Sequence, residues 1–240
     1  HSHPGASFGG FIFIKLSFQD AESILKTLED YCCQNKFNKI FFIQSPTNYY
    51  NKIDDTMEYL LHWHKYEVKE YYISSMIDVR NNKNSIAYLH SRKRRYIKNY
   101  LSNNEFTIKW ENNFEHFYPI LIENKKKHNI KPTHSLNELI KLNKILPNKL
   151  HLLLLYYKNE LIGGTLNIIA NKRNGIVFYN MINYNYKNLQ PAAIQIFESI
   201  NWAKKYNLDF LDLGVSQQPK EKNPLTPHLS LIYFKEQLGA

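Results

Sequence analysis

The chain has 240 residues, of which 43% are hydrophobic and 22% charged. That length and apolar content are enough for a buried core in one large or two small domains, which excludes a disordered or fibrous chain. The formal net charge of +10 favours anionic partners such as nucleotide phosphates, nucleic acid or an anionic membrane face. The abundance of Lys, Asn, Ile and Tyr, as in proteins from AT-rich genomes, accounts for this charge equally well.

The cysteine and histidine content indicates a cytoplasmic protein without a metal. The only cysteines, Cys32 and Cys33, are adjacent on a predicted helix, a poor geometry for a disulfide, so we expect a reducing compartment. No Cys/His cluster has zinc spacing, and His62 and His64 would point to different faces of a helix. We find no signal peptide and no apolar run long enough to cross a membrane, and the oligomeric state stays open.

The first third of the chain alternates strand and helix patterns. The apolar spacing that follows Ser17, a plausible N-cap, predicts a helix with one buried face. In chain order we predict a strand at Phe11 to Leu16, a helix at Ser17 to Gln34, a strand at Lys39 to Ile43, a helix at Asp54 to His64 and one or two strands within Tyr66 to Val79.

A polar linker is expected at Asn81 to Ser85, and a basic helix follows at Tyr88 to Leu101. Its run Arg92-Lys93-Arg94-Arg95, with Lys98, either grips phosphates or forms a solvated face, and we favour the solvated face. A strand at Glu105 to Trp110 and a helix at Asn112 to His128 come next.

The loop Lys131-Pro132-Thr133-His134-Ser135 breaks that helix and leaves His134 at a loop edge. Ser135 is the expected N-cap of a further helix, Leu136 to Ile145.

The stretch from Leu150 to Leu213 carries the strongest pattern. Three strands, Leu150 to Tyr157, Leu161 to Ala170 and Ile176 to Ile182, precede a helix and a short buried strand, Asp209 to Leu213. Gly163 and Gly164 lie inside the second strand, where glycine indicates a bulge or a close backbone approach. Gln190-Pro191 opens the helix, whose N-terminal amides suit a phosphate.

The C-terminal segment is predicted as a polar, mobile flap at Val215 to Pro227, then a helix or extended element at His228 to Leu238.

Five segments stand out together, in this order along the chain: Ser2 to Gly10, Lys131 to Ser135, Tyr186 to Ala193 with the helix to Lys205, Leu211 to Ser216, and Phe234 to Ala240. In this order they resemble one family, the GNAT-fold acyltransferases of the Fem-like group. The resemblance covers nearly the whole chain.

The resemblance implies an α+β fold with a mixed, mostly antiparallel sheet flanked by helices. Family members carry two GNAT-type units in tandem. Residues 1–82 resemble only the later half of such a unit and 83–240 a complete acyltransferase domain. Gly9-Gly10 corresponds to Gly163-Gly164, a faint internal repeat, so the numbering is expected to begin inside a longer protein.

The resemblance further implies where an acyl donor binds. The strand Ile176 to Ile182 would diverge from Asp209 to Leu213, and the pantetheine arm of acetyl-CoA or another acyl-CoA would insert between them. An N–H near Met181 or Ile182 would polarise the acyl carbonyl. Amides from Asn188, Gln190, Ala192 and Ala193, helped by Lys187, would hold the pyrophosphate, although this loop lacks the glycines usual in GNAT proteins.

For the proton path we expect Asp212, with His134 or Glu236 as alternates, while Asp212 as a cap of the following loop is equally compatible with its position. The expected acceptor-binding residues are His3, Ser7, Tyr179, Ser216 and Lys235.

The resemblance implies an N-acyltransferase acting on an amino group of a cell-envelope precursor, an amino sugar or a peptide. The alternatives are a Fem-type transferase that uses aminoacyl-tRNA, with which the basic helix is compatible, and a non-catalytic GNAT-like binding module.

Overall fold

The computed structural model describes residues 8–11, 17–52, 54–81, 84–127, 129–218, 221–223 and 225–240. The chain divides into two compact units, the first ending at Lys69 and the second running from Glu70 to Ala240. This division falls before the boundary expected after residue 82, because a strand at Ser74–Asp78 pairs within the sheet of the second unit.

Seven α-helices and six strands are formed by the described residues. The helices are α1 (Phe18–Gln34), α2 (Thr56–Trp63), α3 (Ser91–Ser102), α4 (Phe114–Lys127), α5 (Leu136–Ile145), α6 (Pro191–Lys205) and α7 (Leu229–Glu236). The strands are β1 (Ser74–Asp78), β2 (Phe106–Trp110), β3 (Leu150–Tyr157), β4 (Glu160–Ile169), β5 (Asn174–Ile182) and β6 (Phe210–Val215).

The first unit contains α1 and α2, which pack through a small core. Ser17 caps α1 as predicted, and its hydroxyl and the Asp20 carboxylate form a reciprocal capping box. Ala21, Leu25 and Leu60 are the buried members of this core.

The prediction of a strand at Lys39 to Ile43 is wrong, because this segment forms only one isolated bridge among the described residues, from Ile43 to Gly9. Most of the predicted strand Phe11 to Leu16 lies outside the described residues.

The second unit is built on a six-stranded sheet in the order β1-β6-β5-β4-β3-β2. All neighbours are antiparallel except β5 and β6. Strands β3 and β4 form a hairpin. Its two turn residues, Lys158 and Asn159, both have positive φ (51° and 66°), which matches the twist of the flanking strands. The fold is thus the expected mixed, mostly antiparallel α+β architecture.

Of the segment Tyr66 to Val79, only β1 is a strand, because pairing with β6 begins opposite Val215 at Ser74. The residues from Tyr66 to Ile73 are not part of the sheet's ladders, although the N–H of Ser216 donates to the carbonyl of Ile73 at 3.0 Å just beyond the end of β1.

Helices cover both faces of the sheet. On one face α3 and α6 pack through buried residues such as Ile97, Ile194, Phe197 and Trp202. On the other, α4 and α5 pack through Phe114, Phe117, Leu121 and Leu139. Alternate residues of the central strands therefore point into two separate cores.

The paired glycines of β4 admit one side chain from each face. A Cβ on Gly163 would lie 2.4 Å from Nε2 of Gln195 on α6, and one on Gly164 would lie 2.6 Å from Cδ2 of Phe117 on α4. A close approach at these glycines is present, but the nearest atoms belong to side chains of α6 and α4 rather than to the backbone that the sequence led us to expect. The missing side chains let both helices pack close to β4.

Candidate functional site

Strands β5 and β6 separate soon after they begin to run side by side. Their parallel pairing extends from Asn174 opposite Phe210 to Ile176 opposite Asp212. Beyond that point β5 continues to Ile182 without β6 as a ladder partner. The predicted divergence is therefore present, and we call the space between the two strands the gap.

Hydrogen-bond alternation shows which amides of β5 face the gap. The N–H of Asn183 donates to the carbonyl of Ile162 at 2.8 Å. In an antiparallel ladder this makes Met181 and Gly164 the next hydrogen-bonded pair, so the backbone of Met181 faces β4. The backbone groups of Asn180 and Ile182 face the opposite side, toward the gap.

The N–H of Ile182 is already engaged by Asn124 of α4. It donates to Oδ1 of Asn124 at 3.2 Å, and Nδ2 of Asn124 donates to the Ile182 carbonyl at 2.6 Å. The expectation of an available N–H at Met181 or Ile182 is therefore wrong for both residues. The N–H of Met181 faces β4, and that of Ile182 is bonded to Asn124. The outward-facing amide at this level of β5 is that of Asn180.

A buried polar network ties Asn180 to the first turn of α6. The hydroxyl of Thr165 lies 2.6 Å from Oε1 of Gln195 and 3.1 Å from Oδ1 of Asn180. Nδ2 of Asn180 donates to the carbonyl of Ala192 at 3.3 Å, and Nε2 of Gln195 donates to the carbonyl of Met181 at 3.3 Å. The gap edge of β5 and the start of α6 are thereby held at a fixed separation.

The start of α6 has an unusual cap. Gln190 is left-handed (φ 59°), a conformation that non-glycine residues rarely adopt, and its side chain makes no capping bond to the helix. Instead, Nζ of Lys93 donates to Oε1 of Gln190 at 2.7 Å. Lys93 is 8% exposed, and burial lowers the pKa of its ammonium. A positive charge from α3 thus lies beside the positive end of the α6 dipole.

The residues expected to hold a pyrophosphate differ in what they offer. Lys187 and Asn188 are exposed, while Gln190 and Ala192 are half-buried. Ala193 is fully buried and its N–H donates to the carbonyl of Gln190, so it contributes no free donor.

Asp212 closes the turn at the end of β6. Its Oδ1 accepts from the N–H of Gly214 at 2.7 Å and from the hydroxyl of Ser74 at 2.9 Å. Gly214 needs its φ of +75° for this turn. These bonds are those expected of Asp212 as a cap of the following loop, and the carboxylate is 1% exposed.

Lys235 of α7 places a buried ammonium at the same strand end. Its Nζ donates to the carbonyls of Gly214 and Val215 at 2.6 and 3.0 Å and to the hydroxyl of Ser216 at 2.8 Å. Burial lowers the pKa of Lys235 to about 8, and the charge of Asp212 opposes that shift. Three of the predicted site residues, Asp212, Ser216 and Lys235, are therefore brought together.

His134 and Tyr179 form a second contact pair, with Nδ1 of His134 3.3 Å from the Tyr179 hydroxyl. Tyr179 is buried in the core under α4 and α5, and burial raises the pKa of its phenol. Glu236 is exposed on α7, and His3 and Ser7 lie outside the described residues.

The basic residues of helix α3 differ in their surroundings. Lys93 is buried against Gln190, and Arg94 donates to the carbonyls of Leu89 and Ala87. Exposed Arg92 and Arg95, with Ser91, line a surface cavity of about 490 Å³. The solvated-face interpretation thus holds for part of this helix but not for Lys93.

Neither a metal cluster nor a membrane-crossing helix is present in the described part of the chain. No three His, Cys, Asp or Glu side chains there come together as a metal site would require. No helix among those residues is long and apolar enough to span a bilayer.

Sequence reasoning missed Asn124, Thr165 and Gln195, and it named Lys93 without its buried contact with Gln190. A signal existed for two of them, since Asn124 follows the spacing of the buried face of α4 and Lys93 lies four residues before buried Ile97. A polar residue at a buried helical position indicates a specific partner.

Comparison with known proteins identifies the fold. No protein-family model matches the chain, and neither does any curated protein sequence. The crystal structure of FemX superposes with a TM-score of 0.68 at 12% identity, covering 93% of this chain and 75% of that one.

Two further solved structures share the architecture. A conserved protein of unknown function from Bacteroides thetaiotaomicron VPI-5482 has a TM-score of 0.58 at 11% identity, covering 90% of this chain and 71% of that one. L-PGS from Bacillus licheniformis has a TM-score of 0.56 at 12% identity, with coverages of 90% and 69%. The chain therefore shares its fold with FemX and L-PGS.

Proposed function

From this shared fold and the gap, we propose that the protein is an N-acyltransferase that acts in the cytoplasm. It transfers an acyl group from acyl-CoA to an amino group of a cell-envelope precursor, an amino sugar or a peptide. The observation that carries the proposal is the separation of β5 and β6 after Ile176 and Asp212, with the start of α6 tied to the same edge through Asn180.

The gap suits an extended donor that carries amide groups. Such a chain pairs with the open edge of β5 as an added strand would, and backbone groups provide the hydrogen bonds. The N–H of Asn180 then points at the acyl carbonyl, where negative charge develops in the tetrahedral intermediate. Lys235 adds a buried positive charge on the β6 side of the gap.

In the transfer step, the amine nitrogen attacks the carbonyl carbon and forms the amide bond. The carbon–sulfur bond breaks, and the proton lost by the amine reaches the departing thiolate, which leaves as coenzyme A. Asp212, His134 and Glu236 remain the candidate proton carriers, and the His134–Tyr179 pair supports a relay through the phenol.

The phosphates of the donor lie at the start of α6 in this proposal. The phosphates are contacted by Lys187, Asn188 and the amide of Ala192. Lys93 holds the cap residue Gln190 in place through its hydrogen bond to Oε1. A helix N-terminus stabilises an anion through its free amides and its dipole.

Ligand-induced stabilisation tests the donor. Acetyl-CoA at one hundred times its Kd stabilises a folded protein by about 2.7 kcal/mol, so we expect a clear rise in Tm with acetyl-CoA and with coenzyme A. A matched measurement with adenosine alone, which lacks the pantetheine arm and the pyrophosphate, should show little change. An unchanged Tm with both acetyl-CoA and coenzyme A would contradict the acyl-CoA donor.

Aminoacyl-tRNA is the second candidate donor, favoured by the glycine-free loop before α6 and by Arg92 and Arg95 at the cavity on α3. We expect its affinity to fall steeply as the salt concentration rises. Arg92→Gln should reduce the slope of log affinity against log salt concentration by about one. Absence of binding by both donors, together with full function in cells of Asp212→Asn, would support the non-catalytic binding module instead.

A further inference from the structure

We infer that Asn124 is a positioning residue that ends the open edge of β5 and so fixes where an extended donor stops in the gap. This inference rests on the proposed function and goes beyond it, because Asn124 would contact neither the acceptor amine nor the reacting carbonyl.

The side-chain amide of Asn124 takes the place of a neighbouring strand. In an antiparallel ladder, each residue of a hydrogen-bonded pair has both its N–H and its C=O bonded to one partner residue. Asn124 supplies both bonds to Ile182, accepting at 3.2 Å and donating at 2.6 Å. The amide thus completes the hydrogen bonding of one edge residue of β5 and of no other.

Asn124 is held in this orientation by its own helix. It is 6% exposed, and its Nδ2 also donates to the carbonyl of Ile120 at 2.9 Å, so both N–H donors of the amide are used. Burial makes loss of either contact costly, because a buried polar group without a partner is destabilising. The cap on the edge is therefore a fixed part of the fold.

The consequence is a defined stopping point. With Ile182 occupied, the nearest outward-facing residue of β5 is Asn180, which the network of Thr165 and Gln195 fixes relative to α6. Successive outward-facing residues lie about 7 Å apart along a strand. Without Asn124, an amide chain in the gap has a second pairing position at Ile182, displaced by that distance from the productive one.

Amide-resolved hydrogen exchange of the full chain tests this inference, with acetyl-CoA as the probe. In the wild type we expect a slowly exchanging Ile182 amide and an Asn180 amide that acetyl-CoA protects. In Asn124→Ala we expect fast exchange at Ile182 without the probe and new protection there when acetyl-CoA is added. Asn137→Ala, which removes an exposed amide from α5, is the matched control and should leave both amides unchanged.

A kinetic readout separates positioning from folding. A misplacement of even 1 Å costs about 100-fold in rate, so Asn124→Ala should lower kcat about 100-fold while the KM for acetyl-CoA changes less than threefold. Asn124→Ser, which keeps a polar group, replaces the alanine variant if its melting curve shows that it does not fold.

Two results would overturn the inference. One is an Ile182 amide that exchanges as slowly in the variant as in the wild type, and the other is probe protection that stays at Asn180 alone. If acetyl-CoA protects neither amide in either protein, the acyl-CoA donor is wrong, whereas faster exchange of Ile182 in the variant would still support Asn124 as the cap of the edge.

Discussion

At the scale of single residues, Gly163 leaves the space that the side chain of Gln195 occupies. Any Cβ there would lie 2.4 Å from Nε2 of Gln195 and 2.9 Å from the carbonyl oxygen of Met181. The backbone atom cannot move away easily, so Gly163→Ala should lower the free energy of unfolding by about 1–3 kcal/mol. Urea denaturation measures this, with Gly10→Ala as a control, since a Cβ at Gly10 meets no atom within 4 Å.

Lys235 gives the stability a pH dependence of known sign. Its folded pKa of about 8 lies below the 10.5 of an unperturbed lysine, so between these values the unfolded chain binds more protons. The wild type should therefore gain stability relative to Lys235→Met as pH rises from 8 to 10.5, by up to about 3 kcal/mol. Denaturation of both proteins across this range checks the difference, and a constant difference would contradict it.

The same ammonium predicts a limit on activity. If its positive charge stabilises the tetrahedral intermediate, kcat should fall as pH rises above about 8 and Lys235 loses its proton. Lys235→Arg, which stays charged, should show no such fall between pH 7 and 9 if it retains activity. A pH profile of kcat is the measurement, and a wild-type rate that stays constant through this range would argue against an electrostatic role.

At the scale of elements, one hydroxyl contributes to the tie between β5 and α6. Thr165→Val keeps the shape but removes a hydroxyl that lies within hydrogen-bond distance of Oε1 of Gln195 and Oδ1 of Asn180. We expect a loss of about 1–3 kcal/mol of stability. Thr165→Ser should restore most of it, and thermal melts compare the three proteins.

The elements that the sequence predicted well are those whose pattern is local. Leu150 to Tyr157 is a strand with the predicted bounds, and Ser17 and Ser135 cap their helices through reciprocal bonds with Asp20 and Glu138. Lys39 to Ile43 has an equally apolar sequence, but a strand also needs a partner, which composition does not reveal.

The site could be predicted only where its parts are close in sequence. Residue type alone marks out Gly163, Gly164 and Pro191, because glycine within a strand and proline at the start of a helix each indicate a specific local structure. The amide of Ile182 is engaged because Asn124 reaches it from 58 residues away, and Lys93 reaches Gln190 across 97 residues. Such contacts depend on how helices pack on the sheet, which no local pattern encodes.

At the scale of the whole molecule, the two units differ greatly in buried core. The described residues of the first unit bury a cluster of Ala21, Leu25 and Leu60, whereas the second unit contains two larger clusters on either side of its sheet. A fragment of residues 70–240 should fold cooperatively, while a fragment of residues 1–69 should be marginal at best. Circular dichroism melts of the two fragments test this, and a cooperative transition of the shorter one would contradict it.

The adjacent glycines of β4 also make the site intolerant of slippage. They open toward opposite helices because neighbouring residues of a strand face opposite sides, and the two-residue turn at Lys158 and Asn159 sets which glycine faces which helix. Shortening or lengthening that hairpin by one residue would move one glycine into the place of the other, so that either Phe117 would meet Thr165 or Gln195 would meet Ile162, depending on the direction of the shift. The length of a solvent-exposed turn thus determines whether α4 and α6 can both pack closely against β4 beside the gap.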